Sequence, residues 1–315
     1  MSNFIQLVRN EQMKLYAKKA TWIMISILAL LIVAGGLISR TMDDSITKTY
    51  DDNWREELQA EIASVEQEDN PSSIDAAFID VEKNTYHLEN DIKPQSYSAM
   101  QFVYDNIGLT MIITLFTIIV TAGILSNEFH WGTIKLLLIR PVSRVKILAA
   151  KYTTVLLFAG TLLLFLFVFS WLVGAVLFGV NGMSPTAVVY HFNGYQEVNL
   201  LSEIGIGYSL KVVNLLMMAT FALMISAIFK SSSMAIGFAI FLMFAGNIVI
   251  PFIAKYDWAK YILFANTDLS QHREGAIQLF DGMSLSFSIT VLLVYYIVFI
   301  IATWWTFTKR DIAGH

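Results

Sequence analysis

Two stretches of this 315-residue chain, 107–126 and 152–180, contain no charged residue. Each is long enough to cross the ~30 Å hydrocarbon core of a bilayer as a helix, which takes about 20 residues. Further apolar runs of this length lie at 21–40, 209–229, 234–253 and 285–307. Only 15% of the residues are charged, against about 25% in a typical soluble domain. The sequence therefore predicts an all-α polytopic membrane protein with six transmembrane helices.

The charges between these runs predict the orientation. Segments 1–20, 127–151 and 308–315 are rich in lysine and arginine, whereas the stretch from Asp43 to Asp105 holds sixteen acidic residues. Short loops with a basic excess remain in the cytoplasm. We therefore expect a multi-pass protein of the cell membrane with both termini inside. Segments 41–104, 181–208 and 254–284 would then lie outside, the last as an aromatic segment before the sixth span.

Residues 1–20 alternate apolar and basic side chains. Phe4, Val8 and Leu15 recur at helical spacing, with Arg9 and Lys14 between them. Such a pattern is typical of an amphipathic helix that lies in the membrane interface, held by its apolar face and by anionic headgroups. A basic flank that only sets the topology would have the same composition, so both interpretations remain open here.

The acidic segment 41–104 shows two helical patterns. Trp54, Leu58, Ile62 and Val65 share one face, and a second run begins after Pro71. We predict a helical hairpin outside the membrane. It could cap a pore or sense a cationic ligand, or it could be a solvated domain with a structural role.

The predicted spans carry few polar side chains. Four threonines of the second span recur at spacings of four, three and four residues, which places them on one helix face. In lipid, such hydroxyls either bond back to carbonyls of their own helix or face a partner helix or cavity. The candidates for a translocation path or for helix packing are Thr110, Thr114, Thr117, Thr121, Asn214 and Asn247.

The segment 127–151 holds five basic residues and one acid, Glu128, between two uncharged spans. Residues 128–138 can form a short helix along the membrane surface, which Pro141 would end because proline lacks a backbone donor. Ser143 can cap the next helix. A surface helix joined to two spans can act as a lever, although a basic loop that only sets topology is the simpler interpretation.

The same segment carries a motif. The motif consists of Glu128, then Gly132-Thr133-Ile134-Lys135, then residues 140–144, which read Arg-Pro-Val-Ser-Arg. It resembles the permease subunits of ABC-2 type transporters. The plan of the whole chain is also similar, and 260–269 resembles Gram-positive bacterial members linked to antimicrobial-peptide resistance or export. The resemblance implies that a separate cytoplasmic ATPase docks on this segment. The coupling residues would be Glu128, Gly132, Thr133, Lys135, Arg140, Pro141 and Arg144.

The resemblance also implies an assembly and a substrate class. Two permease chains, identical or homologous, would join two ATPase chains and export an amphipathic substrate such as a peptide, an antibiotic or a lipid-linked molecule. The alternative is a peptide-sensing or resistance module in the membrane without bulk transport.

Enzyme chemistry in the chain itself is disfavoured. No G-x-x-x-x-G-K-[ST] motif is present to cradle phosphates, so ATP and Mg²⁺ would be bound by the partner. The chain has no cysteine, and its five histidines lie outside the predicted spans. We expect no catalytic, cofactor or metal residue in this chain. The expected partners are the ATPase, a second permease and membrane lipid, with no nucleic acid.

The topology can be tested on intact cells. A cysteine at Ser64, in an otherwise cysteine-free chain, is expected to react with a membrane-impermeant thiol reagent, because 41–104 is predicted to face outward. Labelling that occurs only after lysis would reverse the orientation.

Overall fold

The computed structural model describes residues 2–42, 48, 50–67, 80–131, 142–180, 186–191, 193–229, 231–273, 276, 278, 280 and 282–309. Within these ranges, six helices are long and apolar enough to cross a membrane, which confirms the predicted fold class. The helices are α1 Ser2–Tyr16, α2 Lys19–Met42, α3 Trp54–Gln67, α4 Val81–Glu89, α5 Ala99–Asp105, α6 Thr110–His130, α7 Arg144–Phe178, α8 Leu200–Ile228, α9 Ser232–Ile253, α10 Leu263–Asn266 and α11 Leu285–Lys309. The strands are β1 Thr186–His191 and β2 Gly194–Asn199.

The second span, α6, lies between two hydrophobic clusters. On one side its Ile118 and Ala122 pack with residues of α8, α9 and α11, among them Phe221 and Phe299. On the other side its Ile113 and Phe116 pack with α2, α5 and α7. Helix α6 therefore belongs to both clusters, and a displacement of this helix would disturb both.

The third span is longer than the apolar run predicted. Helix α7 covers 35 residues, or about 52 Å at 1.5 Å per residue, and it includes residues 144–151, which the sequence placed in a surface segment. The reason is a cap at Ser143, as predicted, whose hydroxyl accepts from the backbone N–H of Lys146. Gly179, with φ of 81°, ends the helix.

The segment 181–208 contains a β-hairpin that the sequence analysis did not predict. Strands β1 and β2 pair antiparallel with Tyr190 opposite Tyr195. Gly194 takes a φ of 109° in the turn, a value that favours glycine. Asn199 then caps α8 by accepting from the N–H groups of Leu201 and Ser202. The fourth span consequently begins as a helix at Leu200, well before residue 209.

The described part of 41–104 contains the predicted pair of helices, α3 and α4, which contact each other. Trp54 and Leu58 are buried on the predicted face of α3. The predicted start of the second helix after Pro71 lies outside the described residues. Asp80 caps α4 at the N–H of Lys83 and also accepts from the hydroxyl of Tyr195 in β2. The helical pair is thus attached to the hairpin that leads into α8.

The segment before the sixth span is joined to α8 by an ion pair. One guanidinium nitrogen of Arg273 lies 2.8 and 2.7 Å from the two carboxylate oxygens of Glu203, which is buried. Asn266, which is fully buried, donates to the carbonyls of Lys260 and Ile262 and folds this segment on itself. Tyr256, Trp258 and Tyr261 remain exposed, as suits side chains of a membrane interface.

A close approach between α5 and α7 provides a test of this packing. A Cβ on Gly174 of α7 would lie 2.9 Å from the Cα of Ala99, so Gly174→Ala is expected to lower stability by about 1–3 kcal/mol through overpacking. Gly160, on the same helix, has open space around it. Gly160→Ala should therefore be neutral or slightly stabilising. Melting temperatures in detergent compare the two, and equal values would contradict this packing.

Candidate functional site

A lysine side chain is buried near the start of α7. Lys151 is 1% exposed. Its ammonium group lies 2.8 Å from a carboxylate oxygen of Glu11 on α1 and 2.5 Å from one of Glu128 on α6. Lys14 adds a contact of 2.8 Å to Glu11. Helix α1 therefore meets α6 and α7, which lie more than 100 residues further along the chain, at one cation.

We call Glu11, Lys14, Lys18, Glu128 and Lys151 the Lys151 cluster. Burial by itself would raise the pKa of the Glu11 carboxyl, but the ammonium groups of Lys151 and Lys14 outweigh it and hold this pKa below its ordinary value. Each acid of the cluster therefore faces at least one lysine.

Helix α1 is fixed by further contacts besides this cluster. Gln12 donates to the carbonyl of Thr154 on α7 at 3.1 Å. Thr21 and Trp22, at the start of α2, donate to the carbonyls of Leu15 and Tyr16. The side chain of Leu15 is itself buried in the core of the bundle. The predicted N-terminal helix is thus present and packed on the spans.

The ends of α6 and α7 at this cluster are also bound to the rest of the bundle. Asn127 of α6 accepts from the hydroxyl of Ser232 on α9. The hydroxyl of Ser226 on α8 accepts from the backbone N–H groups of Leu125 and Ser126. Each of the helices α8 and α9 therefore has a polar contact with the end of α6.

A cavity of about 670 Å³ adjoins the Lys151 cluster. Charged side chains of the cluster line one part of it, and apolar side chains from α2, α6 and α9 line another. Its volume falls within the usual range for small-molecule sites, about 300–1,000 Å³. We call it the interfacial cavity, because it lies between the amphipathic α1 and the ends of the spans.

The predicted coupling residues divide into two groups. Glu128 belongs to the Lys151 cluster. Arg144, at the start of α7, donates to the carbonyl of Thr308 near the end of α11 at 2.7 Å, where a cation also complements the helix dipole. The others lie outside the described residues, and these are Gly132, Thr133, Lys135, Arg140 and Pro141.

The threonine stripe of α6 is buried, and each hydroxyl bonds back to its own chain. Thr110, Thr114, Thr117 and Thr121 donate to carbonyls three or four residues earlier. The local bonding that the sequence left open is thus observed, on a face that packs inside the bundle. Asn247 is exposed on α9 and donates to the carbonyl of Met243. Asn214 is half-buried in α8.

Sequence reasoning did not single out Glu11, Asn127 or Lys151 as site residues. Lys151 was counted among the basic residues of its segment and as the last residue of the ABC-2-like motif, but not among the coupling residues. A signal did exist, since a lysine at the edge of an uncharged run needs an acidic partner when it is buried. Glu11, the acid within the basic segment 1–20, and Glu128 were the available partners on the same predicted side of the membrane.

Comparison with known proteins places this chain in a family. A profile described as "Protein of unknown function (DUF2705)" matches residues 71–313. The chain belongs to the DUF2705 family. It is 41% identical over 316 aligned residues to uncharacterized protein YhcI of Bacillus subtilis (strain 168), covering 98% of this chain and 100% of that protein. It is 33% identical over 207 residues to uncharacterized membrane protein YdbK of the same organism, covering 65% of this chain and 80% of that one.

The DUF2705 match includes Glu128 and Lys151, whereas Glu11, Lys14 and Lys18 precede it. The name of YdbK agrees with a membrane location, and neither relative carries an enzyme name. Among the described residues, no group of three or more His, Cys, Asp or Glu side chains could hold a metal ion.

Replacement of Lys151 tests the cluster. Lys151→Met is expected to cost about 3–5 kcal/mol of stability, because it leaves two largely buried carboxylates without their shared cation. Lys146→Met, which removes an exposed lysine of the same helix, should have little effect. Melting in detergent measures both changes.

A triple variant distinguishes the loss of charge pairing from the loss of packing at Lys151. Adding Glu11→Gln and Glu128→Gln to Lys151→Met should recover most of the lost stability, because the two carboxylates that Lys151 paired with are then uncharged. If Lys151→Met melts like Lys146→Met, the cluster does not hold the three helices together.

Proposed function

We propose that the chain is the membrane permease subunit of an ABC-2 type transporter, which exports an amphipathic substrate with energy from a separate ATPase. The substrate class would be a peptide, an antibiotic or a lipid-linked molecule. The protein would lie in the cell membrane with both termini in the cytoplasm. Two permease chains and two ATPase chains would form the assembly.

The observation that carries this proposal is the junction at the Lys151 cluster. Segment 132–141, which bears most of the ABC-2-like motif, is joined to α6 on one side and to α7 on the other. Both helix ends are tied to α1 through the cluster, and α7 is tied to α11 through Arg144. A force applied to this segment would therefore act on α6 and α7, whose ends are held by these contacts, and would move them as whole helices.

The absence of a phosphate-binding motif from the sequence supports an external energy source. The polar residues available inside the spans are few, and those of α6 bond back to its own backbone. Ion-coupled carriers usually place ionisable groups at mid-membrane depth. An ATP-driven conformational change of the bundle accordingly suits this chain better than ion coupling.

A second candidate is a sensing module without bulk transport. It is favoured by the contact of α4 with the hairpin, where Asp80 accepts from Tyr195. Because β2 leads directly into α8 through the cap at Asn199, a ligand held by α3 and α4 could act on the fourth span. A sensor would recruit the same ATPase, so transport assays distinguish it from a permease.

The first experiment is purification of the tagged chain from its native membrane in mild detergent, with mass spectrometry of the proteins that accompany it. We expect a stoichiometric ATPase that carries a phosphate-binding loop. Gly132→Trp should reduce ATPase recovery about tenfold or more, since a bulky side chain would obstruct a central contact, and such contacts can contribute 2 kcal/mol or more.

Gly108→Trp is the matched control, because Gly108 has open space around it at the opposite end of the second span. It should leave ATPase recovery unchanged. Full recovery and full ATP hydrolysis with Gly132→Trp would refute docking at this segment. If crosslinking through 127–151 captured no ATPase even with the unaltered chain, the permease proposal would fail.

A further inference from the structure

The charges around the interfacial cavity do not balance. Its lining includes three lysines and two glutamates of the Lys151 cluster. Both glutamates already face Lys151, and Lys14 lies within 4.0 Å of each of them. Among the described residues, Lys18 has no carboxylate within ion-pair distance. The described lining therefore has an excess of one positive charge, which an anionic group would complement.

The state of Lys18 agrees with this imbalance. Partial desolvation of its ammonium group, followed by repulsion from the Lys151 ammonium, holds the pKa of Lys18 below its ordinary value, although the residue is exposed. The carboxylates of Glu11 and Glu128 act in the opposite direction but do not compensate. A bound anion would remove this penalty, because an opposite charge favours the protonated lysine.

The rest of the cavity is apolar and faces the spans. Met24 of α2, Ile119 and Val120 of α6 and Ile236 of α9 line it. Trp22, next to the cavity, is 58% exposed, and its indole N–H is bonded to the carbonyl of Tyr16, an arrangement typical of a membrane interface. A cationic rim next to an apolar wall matches a phospholipid, which carries a phosphate and acyl chains.

We propose that the interfacial cavity binds one anionic phospholipid from the leaflet on the N-terminal side of the membrane. The phosphate would lie against Lys14 and Lys18, and an acyl chain would pack along Met24, Ile119 and Ile236. This is a defined site, distinct from the general attraction of a basic helix to anionic lipid. It does not depend on an ATPase partner, so its failure leaves the permease proposal intact.

The test is native mass spectrometry of the full chain in detergent, with phosphatidylglycerol or phosphatidylcholine of identical acyl chains. The unaltered chain should retain phosphatidylglycerol preferentially. The double variant Lys14→Gln with Lys18→Gln should lose about tenfold of that preference, since each lysine near an anionic headgroup contributes to binding. The matched control is Arg9→Gln with Lys19→Gln, which removes the same charge from equally exposed residues that do not line the cavity and should keep the preference.

A second pair of variants tests shape without changing charge. Gly123 lines the cavity, and a Cβ there would lie 2.9 Å from the amide nitrogen of Asn127, at the far end of that side chain. Gly123→Leu should fill the cavity and reduce retention of either lipid. Gly237→Leu places the same side chain in open space on α9 and should not.

Each result of these experiments supports or contradicts the proposed lipid site. Equal losses in the two charge variants would mean general surface attraction, and no loss in either would exclude lysine recognition of the headgroup. Unchanged lipid retention in Gly123→Leu would place the lipid elsewhere. Inorganic phosphate or glycerol phosphate is also added in competition. Displacement of the lipid by either one would identify a site for free phosphate, whereas retention supports the lipid.

Discussion

The ammonium group of Lys151, held almost out of water between two carboxylates, sets the arrangement of the helices around it. A charge in that position is tolerated only if opposite charges stay within reach, because the desolvation cost is several kcal/mol per ion. Helices α1, α6 and α7 must therefore come together at one point. Buried ion pairs contribute little net stability compared with apolar packing, but a wrong pairing is expensive. The cluster fixes position more than it adds stability.

The ion pairs of Lys151 also affect the hydrophobic core, because α6 takes part in both. The end of α6 that carries Glu128 also holds Asn127, which contacts Ser232 of α9, and the N–H groups that meet Ser226 of α8. Further along, the same helix packs into both hydrophobic clusters. Packed interiors change between discrete arrangements rather than deform continuously. A shift at the cluster would therefore be passed on as a movement of α6 against its neighbours.

The fold was predictable where the signal is local. Hydropathy over about 20 residues found the spans, and the cap at Ser143 followed from its own sequence neighbours. The hairpin was missed although Asn193-Gly194, a strong turn signal, stands between β-forming residues. That cap also predicted the start of α7 in a charged stretch, whereas the uncharged run alone begins only at residue 152. The Lys151 cluster joins residues up to 140 positions apart, and no local pattern encodes such a pairing.

The permease proposal and the lipid proposal both involve the Lys151 cluster, and this has a physical consequence. Lys14 faces Glu11 in the structure, so a phosphate drawn to Lys14 would compete with that carboxylate and change how α1 is held. A ligand shifts a conformational equilibrium only by its difference in affinity for the two states. An anionic headgroup would therefore favour whichever arrangement of α1, α6 and α7 leaves Lys14 and Lys18 facing the cavity. A partner pulling on segment 132–141 would act on the same arrangement through Glu128 and Lys151. The lipid and the partner would then affect each other's binding by equal factors, without touching.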